Sequence, residues 1–177
     1  QVLGETWVTH WGAHGTQATW GLVEPSARQH PIVRDVEEIF GDSDVYEAHP
    51  PPDAEVLARG VVLAGMNVGD PPATGEKRTV RGEVRALNDP AMPIVWVRHP
   101  RNEAGRQNTV VTSTMGAATD LKSEGLRRLL VNASFWLVGL AVPGRANVAL
   151  VGDYEPSAFG FDSFRKWVKP GDLVKVG

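Results

Sequence analysis

The sequence contains no cysteine among its 177 residues. Disulfide bonds, thiolate metal ligands and cysteine nucleophiles are therefore excluded. Long apolar runs are also absent, since the longest, residues 135–142, is far shorter than the roughly 18 residues that a membrane-spanning helix requires. We therefore expect no contact with a membrane. A hydrophobic content of 42% and a net charge of −3 are typical of one globular domain.

The sequence also lacks a clustered basic face. Residues 1–60 carry ten acidic and three basic side chains, a net charge of −7, whereas residues 61–177 carry eleven acidic and fifteen basic ones, a net charge of +4. The densest basic run, residues 77–85, is interleaved with glutamate. Because nucleic-acid binding needs clustered cations, we expect no nucleic-acid partner, and we interpret this run as a solvated strand or hairpin.

Several stretches have the composition of β-strands or of the turns between them. Residues 56–64 are a β-branched apolar stretch that predicts a strand. Residues 65–90 are rich in glycine and proline, which indicates a loop with a hairpin at its tip. Residues 93–97 and 109–114 are predicted to be neighbouring strands of one sheet, the first buried on both faces, and residues 148–151 a short last strand.

One amphipathic helix is predicted over residues 121–140. Leucine, alanine and tryptophan recur there at spacings of three and four residues. Asp120 is the expected N-cap, and Gly139 marks the C-terminal end. Arg128 and Asn132 are expected to lie outside the face that packs on the sheet. The residues predicted for that face are Leu126, Leu129, Leu130, Ala133 and Leu137.

We expect a single domain over residues 1–177, in three parts. Residues 1–52 are a Trp/Gly-rich and Pro-rich opening, of which residues 1–21 are expected to be extended or looped. Residues 53–152 hold the sheet and the helix, and residues 153–177 form a tail that wraps the body without pairing in the sheet. The aromatic residues of that tail are Tyr154, Phe159, Phe161, Phe164 and Trp167.

Several motifs occur together in an order that is characteristic of one family. Residues 114–133, TMGAATDLKSEGLRRLLVNA, resemble the carboxy-terminal helix motif of the trehalose utilisation proteins, the ThuA-like family. Residues 30–32 (HPI), 44–46 (DVY) and 92–96 (MPIVW) are similar to further motifs of that family. The chain is therefore similar to the later part of a bacterial ThuA-like domain, of the type found in planctomycetes.

This resemblance implies a flavodoxin-like α/β fold related to class I glutamine amidotransferases, and a role in carbohydrate metabolism. It also implies an incomplete sheet, because the units that open such a fold would precede Gln1. Two positions depart from the family pattern: Asn108-Thr109 replace a Gly-Arg pair, and Gly116-Ala117 replace a Gly-His pair. No role of the family's arginine or histidine can therefore be carried over.

The opening segment holds candidate ligand-binding residues. Trp7 and Trp11 offer flat apolar faces that suit a sugar ring, and the alternative is that both belong to the core. His10 and His14 offer polar groups beside them. The other candidates for sugar binding are His30, Asp44, Tyr46, Thr114 and Gly116.

The last two candidates, Thr114 and Gly116, lie at a turn between a predicted strand and the helix, where α/β folds place ligands. The carboxylate of Asp120 is expected to occupy the free N–H groups there. A neutral polyol is therefore favoured over an anion at this turn.

Three functions remain open, and the sequence does not decide whether the protein is an enzyme. The leading prediction is a module that binds or transforms a carbohydrate. The second is a non-catalytic scaffold or truncated domain that binds a protein partner through exposed sheet edges. The third is a hydrolase with a metal ion on His10 and His14, whose spacing of four residues would bring them together on a helix.

The sequence nevertheless argues against a metal ion at the two histidines. Gly12 between them favours a loop over a helix, and no acidic residue is close to them in sequence. We therefore predict no metal and no cofactor.

A homo-oligomer is also predicted. An incomplete sheet would leave unpaired backbone groups at its edge, which proteins cover or pair with another chain. A net charge of −3 gives little repulsion between copies. We therefore expect a two-fold dimer whose interface includes part of residues 7–20.

Overall fold

The structure is a computed structural model that describes residues 2–158 and 166–173. The strands in this part of the chain are β1 (Thr19–Val23), β2 (Ile39–Gly41), β3 (Glu55–Val62), β4 (Glu76–Arg78), β5 (Val84–Ala86), β6 (Met92–Arg98) and β7 (Val110–Ser113). The α-helix is α1 (Glu124–Leu137). Short 3-10 turns occur at Pro25–Ala27, Pro31–Val33, Asp120–Lys122 and Pro170–Leu173.

Five strands form one sheet in the order β2-β1-β3-β6-β7, and every neighbouring pair is antiparallel. This sheet curls into a half-barrel, and β4 and β5 form a separate hairpin. The predicted flavodoxin-like fold, with its relation to glutamine amidotransferases, is therefore wrong. That fold needs parallel strands joined by crossover helices, whereas the α-helix of the described residues follows every strand of this sheet.

Most of the strand positions are confirmed even though the fold class is not. The stretch predicted at 56–64 is β3, and the hairpin predicted within 65–90 is the β4–β5 pair. β6 and β7 are neighbours as predicted, and β6 is buried from Met92 to Val97. The strand predicted at 148–151 is wrong, because that segment is irregular. The opening part also contains more regular structure than expected, since β1 and β2 both lie in it.

Two apolar clusters form the core. The larger one joins the sheet to α1 through residues such as Leu57, Ile94 and Leu129, each of which is fully buried. The smaller one joins Trp11 of the opening segment to Val62 of β3. Burial of one such side chain stabilises the fold by about 1.5–3 kcal/mol, so both clusters contribute substantially to stability.

The helix is shorter than predicted and has a different N-cap. Ser123 is the N-cap, because its Oγ accepts a hydrogen bond from the backbone N–H of Leu126 at 3.4 Å. Asp120 is therefore wrong as the N-cap. The predicted end is confirmed, since Gly139 follows the C-cap residue with a φ of 74°, which favours glycine.

The buried face of α1 is only partly as predicted. Leu137 is 42% exposed and Leu130 is half-buried, so the face does not extend as far as expected. Arg128 and Asn132, expected outside it, are buried. The amide nitrogen of Asn132 donates to the backbone carbonyls of Ile32 and Arg34, at 3.1 and 2.9 Å. The predicted burial is confirmed for Leu126, Leu129 and Ala133.

In its described part, the tail makes a hydrogen bond to the body. The hydroxyl of Tyr154 donates to the backbone carbonyl of Ala118 at 2.7 Å, whereas Trp167 is 93% exposed. The predicted contacts of Phe159, Phe161 and Phe164 lie outside the described residues. No helix of residues 2–158 or 166–173 combines the length and the apolar character needed to cross a bilayer.

Candidate functional site

The candidate site forms where the opening segment runs beside residues 44–46. The backbone N–H groups of Trp11 and Gly12 both donate to the carbonyl of Val45, at 2.7 and 2.9 Å. His10 and Tyr46 form an antiparallel bridge next to these bonds. This pairing places residues that are more than 30 positions apart in sequence against each other.

Asp44 lies between the two histidines of the opening segment. Its Oδ2 is 2.8 Å from Nδ1 of His10, and its Oδ1 is 2.8 Å from Nδ1 of His14. The Asp44 side chain is fully buried, while those of His10 and His14 are 41% and 67% exposed. One carboxylate therefore orients two imidazole rings whose outer faces reach solvent.

Gly12 explains how the segment comes so close to Asp44. A Cβ atom at this position would lie 3.3 Å from Cβ of Asp44, which is tighter than most such contacts. The segment is a loop, as Gly12 predicted, and the two histidines do not meet on a helix. No acidic residue lies near the two histidines in sequence, but the backbone pairing brings Asp44 to them from a distant part of the chain.

Trp7, His10 and Tyr46 form an aromatic group beside the carboxylate. The ring of Trp7 is 5.5 Å from that of His10 and 6.2 Å from that of Tyr46, and His10 is 5.6 Å from Tyr46. Trp7 and Tyr46 are nearly perpendicular, at 85°. Trp7 is 60% exposed, so it is a surface residue and not part of the core.

A cleft of about 210 Å³ adjoins this aromatic group. Its floor includes Trp96 of β6, and its rim includes the end of β7 and the residues that follow it. The residues that line the cleft are Leu3, Glu5, Thr6, Trp7, Tyr46, Glu47, Ala48, Trp96, Thr112, Ser113 and Thr114. Three of the predicted candidates, Trp7, Tyr46 and Thr114, therefore line one cleft.

The β4–β5 hairpin holds the opening segment in place. Nζ of Lys77 donates to the backbone carbonyls of His10 and Trp11, at 2.8 and 3.1 Å. Lys77 and Arg85 also lie over the ring of Trp11, at 5.9 and 5.8 Å from its centre. The prediction that the basic run of residues 77–85 forms a hairpin is confirmed. It is not fully solvated, however, because Lys77 is half-buried against the site.

Glu47 lines the cleft although it is not among the sugar-binding residues predicted from the sequence. It is buried, and its Oε1 lies 2.6 Å from Nε2 of His49 and accepts a hydrogen bond from the backbone N–H of Val80 at 3.0 Å. Two sequence signals point to Glu47: it belongs to the acidic cluster of residues 42–53, and its two-residue spacing from His49 puts both on one side of an extended chain. Lys77 carried no such signal, because its contacts depend on how the hairpin docks.

The other predicted candidates lie elsewhere or are occupied. Trp11 is 1% exposed, and its Nε1 donates to the carbonyl of Leu87, so it belongs to the core. His30 packs on Trp136 of α1, with ring centres 5.0 Å apart. The backbone N–H of Gly116 donates to the carboxylate of Asp120 at 3.1 Å, and Gly116 does not line the cleft.

Two groups among the candidate residues have displaced pKa values. Burial raises the pKa of the Tyr46 hydroxyl, and the negative charges of Asp44 and Asp120 raise it further. Tyr46 therefore stays a neutral hydroxyl at physiological pH. Burial lowers the pKa of His30, with an opposing effect of the Glu55 carboxylate and a smaller lowering effect of His99.

No family model, curated protein or solved structure matches this chain. The resemblance to ThuA-like proteins therefore stays an expectation that rests on the sequence motifs. What the site does has to be inferred from its own geometry and chemistry.

Proposed function

We propose that the protein binds a carbohydrate, one sugar ring in size, in the cleft beside Trp7 and Tyr46. The observation that carries this proposal is the exposed indole of Trp7, which stands at 85° to the ring of Tyr46 beside a cleft. Pyranose rings have one apolar face of C–H groups, and an exposed aromatic ring offers a matching surface.

The rest of the lining supplies the polar partners that sugar hydroxyls need. Thr6, Thr112 and Thr114 carry hydroxyl groups, and the Tyr46 hydroxyl is neutral at physiological pH. A hydroxyl both donates and accepts hydrogen bonds, as sugar hydroxyls do. A few polar groups around an apolar surface are the usual composition of a small-molecule site.

Size and charge narrow the class of sugar. The volume of about 210 Å³ is below the range of roughly 300–1,000 Å³ that is usual for drug-sized ligands, so a single ring fits better than an oligosaccharide. The described lining residues include Glu5 and Glu47 but no lysine or arginine. A phosphorylated or acidic sugar would therefore be repelled, and we expect a neutral one.

Isothermal titration calorimetry with a panel of neutral monosaccharides and sugar phosphates tests this proposal. We expect saturable binding of at least one neutral monosaccharide and none of the phosphates. Trp7→Ala should weaken that binding by about tenfold, since stacking on an aromatic ring contributes on the order of 1 kcal/mol or more. Trp167→Ala is the matched control, because Trp167 is 93% exposed and does not line the cleft.

Two results would contradict the proposal. One is the absence of saturable heat with every sugar at millimolar concentration. The other is equal binding by the Trp7→Ala protein and the wild type, which would place any sugar site elsewhere. A preference for a sugar phosphate would contradict the argument from charge.

A further inference from the structure

We propose that His10, His14 and Asp44 form a binding site for one divalent ion of a first-row transition metal, with Zn²⁺ as the reference ion. The proposal goes beyond the sugar site and does not depend on it. It replaces the expectation of no metal, which rested on the lack of an acidic residue near the two histidines in sequence.

The spacing of the three side chains fits one metal ion. The ligand atoms of His10, His14 and Asp44 all lie within 4.8 Å of one another, and each histidine Nδ1 is 2.8 Å from a carboxylate oxygen. Metal–ligand bonds of about 2.0–2.2 Å in a tetrahedral site place neighbouring ligand atoms about 3.3–3.6 Å apart. The two N···O pairs would therefore have to open by somewhat more than about 0.5 Å each, with the two imidazoles within 4.8 Å of each other, to admit the ion.

The types of ligand atom select the class of metal. Two imidazole nitrogens and one carboxylate oxygen suit Zn²⁺, Fe²⁺, Co²⁺ and Mn²⁺, and the same donor set with open positions occurs in catalytic metal sites of proteins. Mg²⁺ and Ca²⁺ prefer sites made of oxygen atoms. We therefore expect Zn²⁺ and Co²⁺ to bind and Mg²⁺ not to compete with them.

The site is held in place before a metal ion arrives. Asp44 is fully buried, and the backbone of residues 10–12 is fixed by Val45 on one side and by Lys77 on the other. The two imidazoles supply the hydrogen bonds that the buried Asp44 carboxylate needs, and a dication bound between the three groups would replace those bonds with a charge of opposite sign. Preorganised ligands lose little conformational freedom on binding, which favours high affinity.

The metal ion would keep open positions. The side chains of His10 and His14 are 41% and 67% exposed, so water can complete the coordination shell from the solvent side. His10 also contacts Tyr46, which lines the sugar cleft. The open positions therefore face water or the hydroxyl groups of a ligand that extends from the cleft.

Titration of tag-free, chelator-treated protein with Zn²⁺ in a calorimeter, and with Co²⁺ in a visible-light spectrometer, tests this inference. We expect one ion per chain, with d–d absorption bands of protein-bound Co²⁺ and a higher melting temperature. His14→Ala should weaken binding by about tenfold or more. His99→Ala is the matched control, since His99 is exposed and lies outside the three-residue cluster.

Asp44→Asn is a second test that removes the charge and keeps the side-chain volume. Because Asp44 is buried, circular dichroism has to show that the Asp44→Asn variant is folded. If it is not folded, the His14→Ala variant decides whether the cluster binds metal, because the side chain of His14 is 67% exposed. The inference is overturned if neither Zn²⁺ nor Co²⁺ binds saturably at micromolar concentration. It is equally overturned if folded His14→Ala binds Zn²⁺ as tightly as the wild type.

Discussion

The pKa of His30 leads to a prediction about pH. Its Nδ1 accepts a hydrogen bond from the backbone N–H of Ile32 at 3.2 Å, and burial against Trp136 lowers its pKa below the ordinary 6.5. The unfolded chain therefore takes up a proton more readily than the folded one. The stabilising effect is present above about pH 6.5 and is lost as the pH falls through the lowered folded-state pKa.

We expect His30→Asn to lose less stability between about pH 7.5 and pH 5 than the wild type does, because asparagine still accepts the Ile32 N–H and does not titrate. Urea denaturation at several pH values measures this. If both proteins lose stability in parallel over this range, protonation of His30 is not the cause.

Gly125 leads to a second prediction about one residue. Alanine in place of glycine within a helix normally stabilises it by about 1 kcal/mol. Here a Cβ atom would lie 1.8 Å from the backbone carbonyl oxygen of Glu38, so α1 could not keep its contact with that segment. We expect Gly125→Ala to lower the free energy of unfolding by about 1–3 kcal/mol.

Urea denaturation checks the effect of Gly125→Ala, and Ser134→Ala on the exposed side of α1 is the control with an expected change of less than about 0.5 kcal/mol. An unchanged or raised midpoint for Gly125→Ala would show that α1 does not approach Glu38 this closely.

Only part of the candidate site can be predicted from its residues. The spacing of His10 and His14 indicates that the two imidazoles lie together, and Gly12 indicates a loop between them. Their third partner, Asp44, lies 30 residues beyond His14, and the backbone pairing of residues 10–12 with 44–46 brings it there. That pairing is a long-range contact, so no local pattern in the sequence indicates it.

Among the elements, α1 gives the sharpest test of the packing. Leu129 is fully buried against the sheet, whereas Leu137 on the last turn is 42% exposed. We expect Leu129→Ala to cost about 2–5 kcal/mol and Leu137→Ala much less. Arg128→Ala should also be costly, because Arg128 is buried and its Nη2 lies 2.5 Å from Oε1 of Glu124.

Chemical denaturation of the three single variants measures these differences. Equal effects of Leu129→Ala and Leu137→Ala would mean that the buried face is assigned wrongly. A negligible effect of Arg128→Ala would restore the sequence-based expectation that this residue lies outside the packed face.

The elements also show why the fold class was predicted wrongly while most strands were placed correctly. The apolar and β-branched runs of β3 and β6 identify strands by local composition. The direction of pairing depends on contacts between distant strands, such as Val56 with Trp96, and composition does not encode it. The helix motif at 114–133 identified α1, but one helix does not determine how the strands before it are arranged.

For the whole molecule, self-association remains a prediction, but the structure changes the reason for expecting it. One edge of the sheet is partly occupied by the chain itself, since the backbone N–H of Phe40 in β2 donates to Oγ of Ser123. At the other edge, the hydroxyl of Thr112 in β7 donates to the carbonyl of Leu3, a side-chain contact that does not pair the backbone of that edge. The argument from an open edge, for a dimer or for a protein-binding scaffold, is therefore weaker at β2. The exposed apolar side chain of Val8 in the opening segment gives a second reason.

We expect a two-fold dimer whose interface includes part of residues 7–20. Multi-angle light scattering at micromolar concentration measures the mass of the particle. Val8→Asp should shift the mass toward the monomer, and Val151→Asp, which places the same charge on an exposed valine outside residues 7–20, should not. A monomer mass for the wild type would contradict the prediction.

The contacts of Leu3 determine the order in which the protein is completed during synthesis. Its carbonyl accepts hydrogen bonds from Nε1 of Trp96 and from the hydroxyl of Thr112, which lie 93 and 109 residues further along the chain. Translation at about 5–20 residues per second separates Leu3 from Thr112 by about 5–20 s. Throughout that interval the carbonyl of Leu3 lacks one or both of these partners, although the partners of Trp7 and Trp11, such as Tyr46 and Leu87, are made before them. The wall of the cleft that Leu3 forms is thus made early and reaches its final contacts late.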